Sequence, residues 1–163
     1  MTLQNSNSNS LPYVWTALVT PLHADGSVDF TSLSNIAAEQ DAAGNGVLLL
    51  GSTGEGLALS EDEQLAVVRH VCQLSLAVPV MVAVGGYQLD AQKRWISACN
   101  ELAIDAFLLA TPLYAKPGPN GLTQWFSVLL DCAEHPCMLY NVPSRSGINI
   151  PDRKSTRLNS SHV

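Results

Sequence analysis

The segment VLLLGSTGE, residues 47–55, joins a short apolar run to a polar, glycine-rich sequence. An uninterrupted apolar run of this length is typical of a strand that is buried on both faces in a parallel sheet. Four further apolar runs begin near Val14, Val80, Ala106 and Cys137, and successive runs start roughly 30 residues apart, the length of one βαβ unit. The chain is therefore predicted to alternate strands with helices.

The segments between the apolar runs carry helix signals. Ser60-Glu-Asp-Glu63 is a capping box, and Asp29 or Thr31 is predicted to start the first helix. Asp90 is predicted to cap the helix after the third run. The fourth helix carries an apolar stripe that consists of Leu122, Trp125, Phe126, Leu129, Leu130 and Ala133. We interpret the aromatic residues of this stripe as core packing rather than as a ligand site.

Strict strand–helix alternation fits either a doubly wound sheet or a (β/α)8 barrel. The dinucleotide-binding version of the first fold needs Gly-x-Gly-x-x-Gly after its first strand, whereas residues 20–26 here read TPLHADG. Barrel enzymes have about 250 residues for eight units. We therefore predict an α/β fold in which residues 13–151 form the N-terminal part of a TIM (β/α)8 barrel, with about five of the eight βα units.

The two ends of the chain are expected to lie outside this fold. Residues 1–12 include a polar alternating tract and are predicted to be a disordered lead-in without the features of a signal peptide. Residues 152–163, DRKSTRLNSSHV, match the translation of a common sequencing-adapter oligonucleotide codon by codon from Asp152 to His162. We interpret this tail as non-native, the alternative being a genuine polar tail.

Composition narrows the classes of partner. The formal net charge is −6 and there is no basic run, which argues against nucleic acid or an anionic membrane as a partner. No apolar stretch is long enough to span a bilayer. The four cysteines lack Cys-x-x-Cys spacing and are predicted to be free thiols, which is consistent with the cytoplasm. The histidines show no ligand spacing, so no metal is assigned.

Polar or glycine-rich residues follow every apolar run, at 20–21, 51–55, 85–86, 111–114 and 140–145. In a barrel these segments lie on the rim where active sites are built. Gly51 and Gly54 are expected to let the backbone turn tightly, so that donors from Ser52 and Thr53 converge on an anion such as a 2-oxo acid carboxylate. A plain strand-to-helix turn explains the same residues, and from this loop alone it is the favoured interpretation.

Two further residues on the predicted rim carry suitable chemistry. Tyr140 ends an apolar strand, where its phenol can donate a hydrogen bond or transfer a proton, although a buried tyrosine with a satisfied hydroxyl is commoner. Arg145, interpreted as lying outside the helices, suits a bidentate carboxylate clamp, or else a surface ion pair. Lys93 and Lys116 do not lie on strands, where a lysine could be desolvated and nucleophilic.

Four motifs carry a resemblance to a known family: TALVTPL at 16–22, GSTGEG at 51–56, ATPLY at 110–114 and LYNVPSRSG at 139–147. Together and in this order they resemble the dihydrodipicolinate synthase / N-acetylneuraminate lyase family of class I pyruvate aldolases and lyases. The resemblance covers residues 14–151. It implies a (β/α)8 barrel, a carbon–oxygen lyase that binds pyruvate through a lysine Schiff base, no metal or organic cofactor, and a homotetrameric parent protein.

The resemblance also implies roles for individual residues. Thr53 and Tyr140 match the hydroxyls of the proton relay, and Tyr114 matches the relay tyrosine that reaches into the site of a neighbouring subunit. Ser52 matches a position that helps to hold the pyruvate carboxylate. Arg145 matches the arginine that binds the carboxylate of aspartate semialdehyde.

The PSRSG sequence at 143–147 favours the synthase branch, which condenses pyruvate with L-aspartate 4-semialdehyde in lysine and diaminopimelate biosynthesis. The alternatives are a sister aldolase or lyase that acts on a sugar acid, and an inert truncated fragment. The family's Schiff-base lysine belongs on the sixth strand, which is expected beyond Pro151, and Lys154 is not a substitute. Glu61 and Gln64 occupy the positions of histidines that bind feedback lysine in some synthases, so this inhibition is not expected.

Overall fold

The computed structural model describes residues 14–150 as five strands, five helices and a 3₁₀ turn. The strands are β1 (Trp15–Ala17), β2 (Gly46–Leu49), β3 (Val80–Val84), β4 (Ala106–Ala110) and β5 (Cys137–Tyr140). The helices are α1 (Phe30–Ala43), α2 (Glu61–Gln73), α3 (Leu89–Asn100), α4 (Pro119–Cys132) and α5 (Pro143–Ser146), and the 3₁₀ turn is Gly56–Ala58.

The strands form one parallel sheet in the order β1-β2-β3-β4-β5. Each strand pairs with its neighbour in sequence, and helices α1 to α4 follow strands β1 to β4 in turn. The register aligns Leu48 with Met81, Ala83 with Leu108 and Ala110 with Tyr140. This half-barrel confirms the predicted partial TIM barrel.

Side chains alternate between the two faces of the sheet, because successive residues of a strand point in opposite directions. On β4, Phe107 and Leu109 pack in the large core beneath the helices. Ala106 and Leu108 belong instead to a smaller cluster with Met81 of β3. The strands are mostly apolar because one set of residues packs against the helices and the other lines the barrel interior.

The helix boundaries follow from local hydrogen bonds. Asp29 caps α1, its carboxylate accepting from the Ser32 amide at 3.0 Å, and the capping box of Ser60 and Glu63 at α2 is present. Both predictions are confirmed. The predicted cap at Asp90 is wrong: α3 begins after Gln88, and Asp90 lies in the first turn, 3.6 Å from the Lys93 ammonium. A carboxylate is favourable there because it faces the positive end of the helix.

Two tryptophan side chains link helices to the ends of strands by hydrogen bonds. The Trp95 indole of α3 donates to the Ala83 carbonyl, and the Trp125 indole of α4 donates to the Ala110 carbonyl, each at 3.1 Å. Phe126 is buried in the core beneath α4. The interpretation of the α4 aromatics as core packing is therefore confirmed, and the same contacts fix the ends of β3 and β4.

The four cysteines are free thiols. Cys99 is fully buried, and burial, with a smaller effect from Cys72, raises the pKa of its thiol to about 12. Burial likewise raises the pKa of Cys137 to about 11. Both thiols are therefore protonated and unreactive near neutral pH.

The predictions for residues 1–12 and 152–163 lie outside the described residues, as do the predicted boundaries at 13 and 151. Among residues 14–150, every helix is too short or too polar to cross a bilayer.

Candidate active site

A cavity of about 650 Å³ lies on the inner face of the sheet and extends past the strand ends. Every strand contributes an inward-facing residue to its wall: Ala17, Leu48, Ala83, Ala110 and Tyr140. The loops that follow β2, β3, β4 and β5, together with residues of α2 and α3, complete the lining. The cavity therefore occupies the rim at which barrel enzymes place their active sites.

Small side chains create the space. Ala83 and Ala110 lie at or near the ends of β3 and β4 and face the cavity. Nearer the starts of the same strands, Met81 and Leu108 fill the interior and are almost completely buried. Because the large residues lie below the alanines, the inner face is closed at the base and open at the rim.

The loop after β2 is folded tightly against the segment that follows β1. Leu50 and Glu55 both adopt the left-handed conformation, with φ of 59° and 50°. A Cβ on Gly54 would lie 2.8 Å from the Leu18 carbonyl oxygen, and the Thr20 hydroxyl donates to the Gly54 carbonyl at 2.7 Å. Gly54 is therefore needed for close packing of the turn, as expected, whereas a Cβ on Gly51 would meet nothing closer than Leu48 Cδ2 at 3.8 Å. The left-handed positions of this loop are held by Leu50 and Glu55, which are not glycines.

The loops after β2 and β5 meet in a direct hydrogen bond. The Arg145 guanidinium Nη1 donates to the Ser52 hydroxyl at 2.8 Å, although the two residues are 93 positions apart. Both residues line the cavity. The guanidinium keeps further N–H donors, so this pair places a cationic group and a hydroxyl side by side at the cavity.

Arg145 is held by a short helix, which corrects the interpretation that it lies outside helices. Pro143 is in the first turn of α5, and Gly147 ends it with a left-handed φ of 68°. The Asn141 side chain bonds to Asn149 at 2.9 Å and accepts from the Ile150 amide at 3.1 Å. These hydrogen bonds join the two ends of the segment that follows β5, so that Arg145 lies in a compact turn.

Thr53 and Tyr140 line the same cavity as Ser52 and Arg145. Tyr140 ends β5 on the inner face of the sheet and is 39% exposed. Thr53 is exposed in the turn after β2. Four of the five predicted site residues are thus brought to one cavity by three different segments of the chain.

Tyr114 is the predicted site residue that the fold does not bring to this cavity. Its side chain is 97% exposed, and its φ of 62° lies in the left-handed region. It follows β4 on the same rim, but it is absent from the cavity wall.

Two cavity residues escaped the sequence analysis. Gln92 and Thr111 are the buried polar side chains of residues 14–150, and both line the cavity. The signal for Gln92 was present: it precedes Ile96 and Cys99 by four and seven positions on α3, in a stripe that is otherwise apolar. A glutamine on the buried face of a helix is unusual enough to single out.

The charges around the cavity are mixed. Glu55 and Glu61 line it together with Arg145. Gln64 also lines it, and its amide donates to the Leu59 carbonyl at 3.0 Å. Lys93 and Lys116, the two lysines of the described chain, are absent from the wall. Within residues 14–150, histidine, cysteine and acidic side chains form no cluster of three suited to a metal ion.

Comparison with known proteins identifies the family. A family model described as the dihydrodipicolinate synthetase family matches residues 11–162. The 4-hydroxy-tetrahydrodipicolinate synthase of Francisella philomiragia is 54% identical over 145 residues, which cover 89% of this chain and 49% of that relative. The synthase of Chlamydia pneumoniae is 47% identical over 134 residues, covering 82% and 46%. The chain thus spans about half the length of the curated relatives that it matches.

Solved structures agree with the sequence matches. A dihydrodipicolinate synthase from Bacillus anthracis has a TM-score of 0.86 at 31% identity, over 91% of this chain and 52% of that one. The enzyme from Acinetobacter baumannii, described as complexed with pyruvate, has a TM-score of 0.84 at 31% identity, over 89% and 50%. The family model covers most of the chain and the half-barrel superposes on these structures, and this chain belongs to the dihydrodipicolinate synthetase family.

Proposed function

We propose that the parent protein is a 4-hydroxy-tetrahydrodipicolinate synthase, a lyase that condenses pyruvate with L-aspartate 4-semialdehyde in lysine and diaminopimelate biosynthesis. The observation that carries this proposal is the Arg145–Ser52 hydrogen bond at a cavity that Thr53 and Tyr140 also line. A cation and a hydroxyl at the open end of an apolar chamber suit an oxo acid, whose carboxylate needs charge-assisted donors. The names of the relatives support the same activity.

In the proposed reaction, a lysine amine attacks the pyruvate ketone, water leaves, and the resulting imine loses a methyl proton to give an enamine. The enamine carbon then attacks the aldehyde carbon of the second substrate, and the aldehyde oxygen takes up a proton. Tyr140 and Thr53 are the hydroxyls that we assign to these proton movements. Ser52 is assigned to the pyruvate carboxylate and Arg145 to that of the semialdehyde.

The lysine of this mechanism is proposed to lie outside residues 14–150. Lys93 is on α3 and pairs with Asp90, and Lys116 is exposed in the loop before α4. Neither lysine lines the cavity. We therefore propose that the 163-residue chain is inactive by itself, and that the activity belongs to the full-length protein.

Tyr114 is assigned to the site of a neighbouring subunit. Its side chain is almost fully exposed and does not line the cavity of its own chain, which supports a role that needs a second copy. The parent protein is accordingly proposed to be a homotetramer. The cytoplasm, where pyruvate and amino-acid precursors are available, is the proposed location.

Borohydride trapping tests the covalent step. Reduction in the presence of pyruvate is expected to add one pyruvate-derived group to the full-length protein and none to the 163-residue chain, as measured by intact mass. An adduct on Lys93 or Lys116 of the short chain would contradict the assignment of the lysine.

Steady-state assay of the full-length protein with the semialdehyde tests the substrate. Arg145→Met is expected to lower kcat/KM about 100-fold, because a charge-assisted pair with the carboxylate is lost. Arg145→Lys, which keeps the charge but loses the planar fork, is the matched control and should retain part of the activity. Turnover of N-acetylneuraminate but not of the semialdehyde would favour a sugar-acid lyase instead.

A further inference from the structure

The turn that carries Arg145 has no core packing of its own. None of the four residues of α5 is buried. Hydrogen bonds within the turn fix its shape, since the Ser146 amide donates to the Val142 carbonyl and the Gly147 amide to the Pro143 carbonyl, each at 2.9 Å. The orientation of the turn on the rim therefore depends on its chain neighbours and on contacts with other segments.

Lys116, in the loop between β4 and α4, makes one such contact. A Cβ on Gly147 would lie 3.0 Å from Lys116 Cε and 3.3 Å from Lys116 Nζ. The end of the lysine side chain therefore lies directly against this glycine. Gly147 also ends α5 with a left-handed φ of 68°. Glycine at this position thus serves both the backbone conformation and the close approach of Lys116.

The loop that carries Lys116 is anchored on both sides of the lysine. Before it, the Leu113 amide donates to the Gly86 carbonyl at 2.9 Å, which joins this loop to the loop after β3. After it, Pro117 packs against the first turn of α4, where a Cβ on Gly121 would lie 2.8 Å from Pro117 Cβ. Proline also restricts the backbone, because its φ is fixed. Lys116 therefore extends from a segment with little freedom to move.

The contact of Lys116 with the turn is one of packing. Lys93 pairs with Asp90 at 3.6 Å, whereas no ion pair within residues 14–150 involves Lys116. Lys116 is exposed and does not line the cavity. Lysine side chains commonly cover a surface with their methylene groups while the ammonium stays in water. The methylene groups of Lys116 are therefore the part that we expect to support the turn.

We infer that Lys116 is a positioning residue for Arg145. Lys116 packs against Gly147 at the end of the turn, while the Arg145 guanidinium donates to the Ser52 hydroxyl at 2.8 Å. These two contacts hold the turn against the loops that follow β4 and β2. The inference rests on the proposed function, which assigns Arg145 to the semialdehyde carboxylate. Lys116 sets the orientation of that arginine without touching the substrate.

Steady-state kinetics of the full-length protein test the inference. Lys116→Ala removes the packing and is expected to raise the KM for the semialdehyde about tenfold, because small misplacements of a binding group are costly. The kcat and the KM for pyruvate should stay within about twofold. Lys116→Met keeps most of the side-chain length without the charge and should match the unsubstituted protein, as should Lys93→Ala. A raised KM in Lys116→Met, or an unchanged KM in Lys116→Ala, would overturn the inference.

Combination with Arg145→Met separates positioning from direct binding. If Lys116 acts through Arg145, Lys116→Ala should change kcat/KM by less than about twofold once the guanidinium is absent. A further tenfold loss in the double variant would show that Lys116 acts independently of Arg145, and the inference would fail.

Hydrogen exchange of the substrate-free, full-length protein gives a readout that does not depend on activity. Lys116→Ala is expected to speed the exchange of the amides of residues 144–147 about tenfold and to leave residues 80–84 of β3 unchanged. Lys116→Met should exchange like the unsubstituted protein. Unchanged exchange at 144–147 in Lys116→Ala would overturn the inference and leave the proposed function intact. Absence of semialdehyde turnover in the unsubstituted protein would instead overturn the proposed function and the kinetic role built on it.

Discussion

Replacement of Gly54 by alanine is the sharpest structural test of the site. The added Cβ would lie 2.8 Å from the Leu18 carbonyl oxygen, 3.2 Å from the Leu50 amide nitrogen and 3.3 Å from the Thr20 hydroxyl. Two of these neighbours are backbone atoms, which cannot rotate away as a flexible side chain can. The loop after β2 must therefore move outward by a few tenths of an ångström.

The cost has two parts. Overpacking in a rigid environment costs about 1–3 kcal/mol, and weakening the Thr20–Gly54 hydrogen bond of 2.7 Å costs about 1 kcal/mol more. We expect a loss of about 3 kcal/mol in the free energy of unfolding. With a slope of about 2 kcal/mol per molar urea, the midpoint falls by about 1.5 M.

Gly51→Ala is the matched control, because it adds the same methyl group to the same loop. Its Cβ would meet Leu48 Cδ2 at 3.8 Å, an ordinary contact, and its φ is not positive. Its urea midpoint is expected to stay the same or rise slightly. Equal midpoints for the Gly51 and Gly54 variants would show that close approach to the segment after β1 does not govern the stability of this loop.

Two further substitutions test the fold away from the site. The Asp41 carboxylate accepts from the Ala77 and Val78 amides at 2.7 and 2.9 Å, so Asp41→Ala is expected to cost about 2 kcal/mol in urea unfolding. Asp41→Asn keeps one oxygen acceptor and should cost less; equal costs would contradict the assignment. The pKa of the Cys99 thiol is about 12 in the folded protein, against 9.0 when unfolded. The unfolded chain therefore loses the thiol proton first as pH rises. The free energy of unfolding should fall above pH 9 by up to about 1.4 kcal/mol per pH unit. Cys99→Ala should show a flatter profile between pH 9 and 11, and parallel profiles would refute this reasoning.

The strands were predictable because their signal is local and redundant. Runs such as residues 80–84 are apolar on both faces, bounded by turn residues and regularly spaced, so each property supports the same interpretation. The cap at Asp90 was mispredicted because a carboxylate is favourable both at a cap and in the first turn. Sequence alone does not distinguish those positions.

The location of the site was predictable from the sequence, but the contacts between its side chains were not. Parallel topology brings the segments after β2 and β5 to one rim, which is why Ser52, Thr53, Tyr140 and Arg145 share a cavity. The Ser52–Arg145 bond spans 93 positions and depends on the curvature of the sheet, which no local pattern encodes. Gln92 was missed because the apolar spacing of Ile96 and Cys99 already predicted a helix, and the single polar residue on the same face was not considered separately.

The alternation of side chains has a consequence for how such a protein can diversify. Ala17, Ala83 and Ala110 set the size of the chamber, while neighbours one position away on the same strands hold the helices. Substitutions at these three alanines can therefore retune which molecules are admitted while the packing that keeps the protein folded stays untouched. The residues that determine which ligands fit and the residues that stabilise the fold lie on opposite faces of the same strands. Natural substitutions can therefore change the range of ligands with little effect on the stability of the fold.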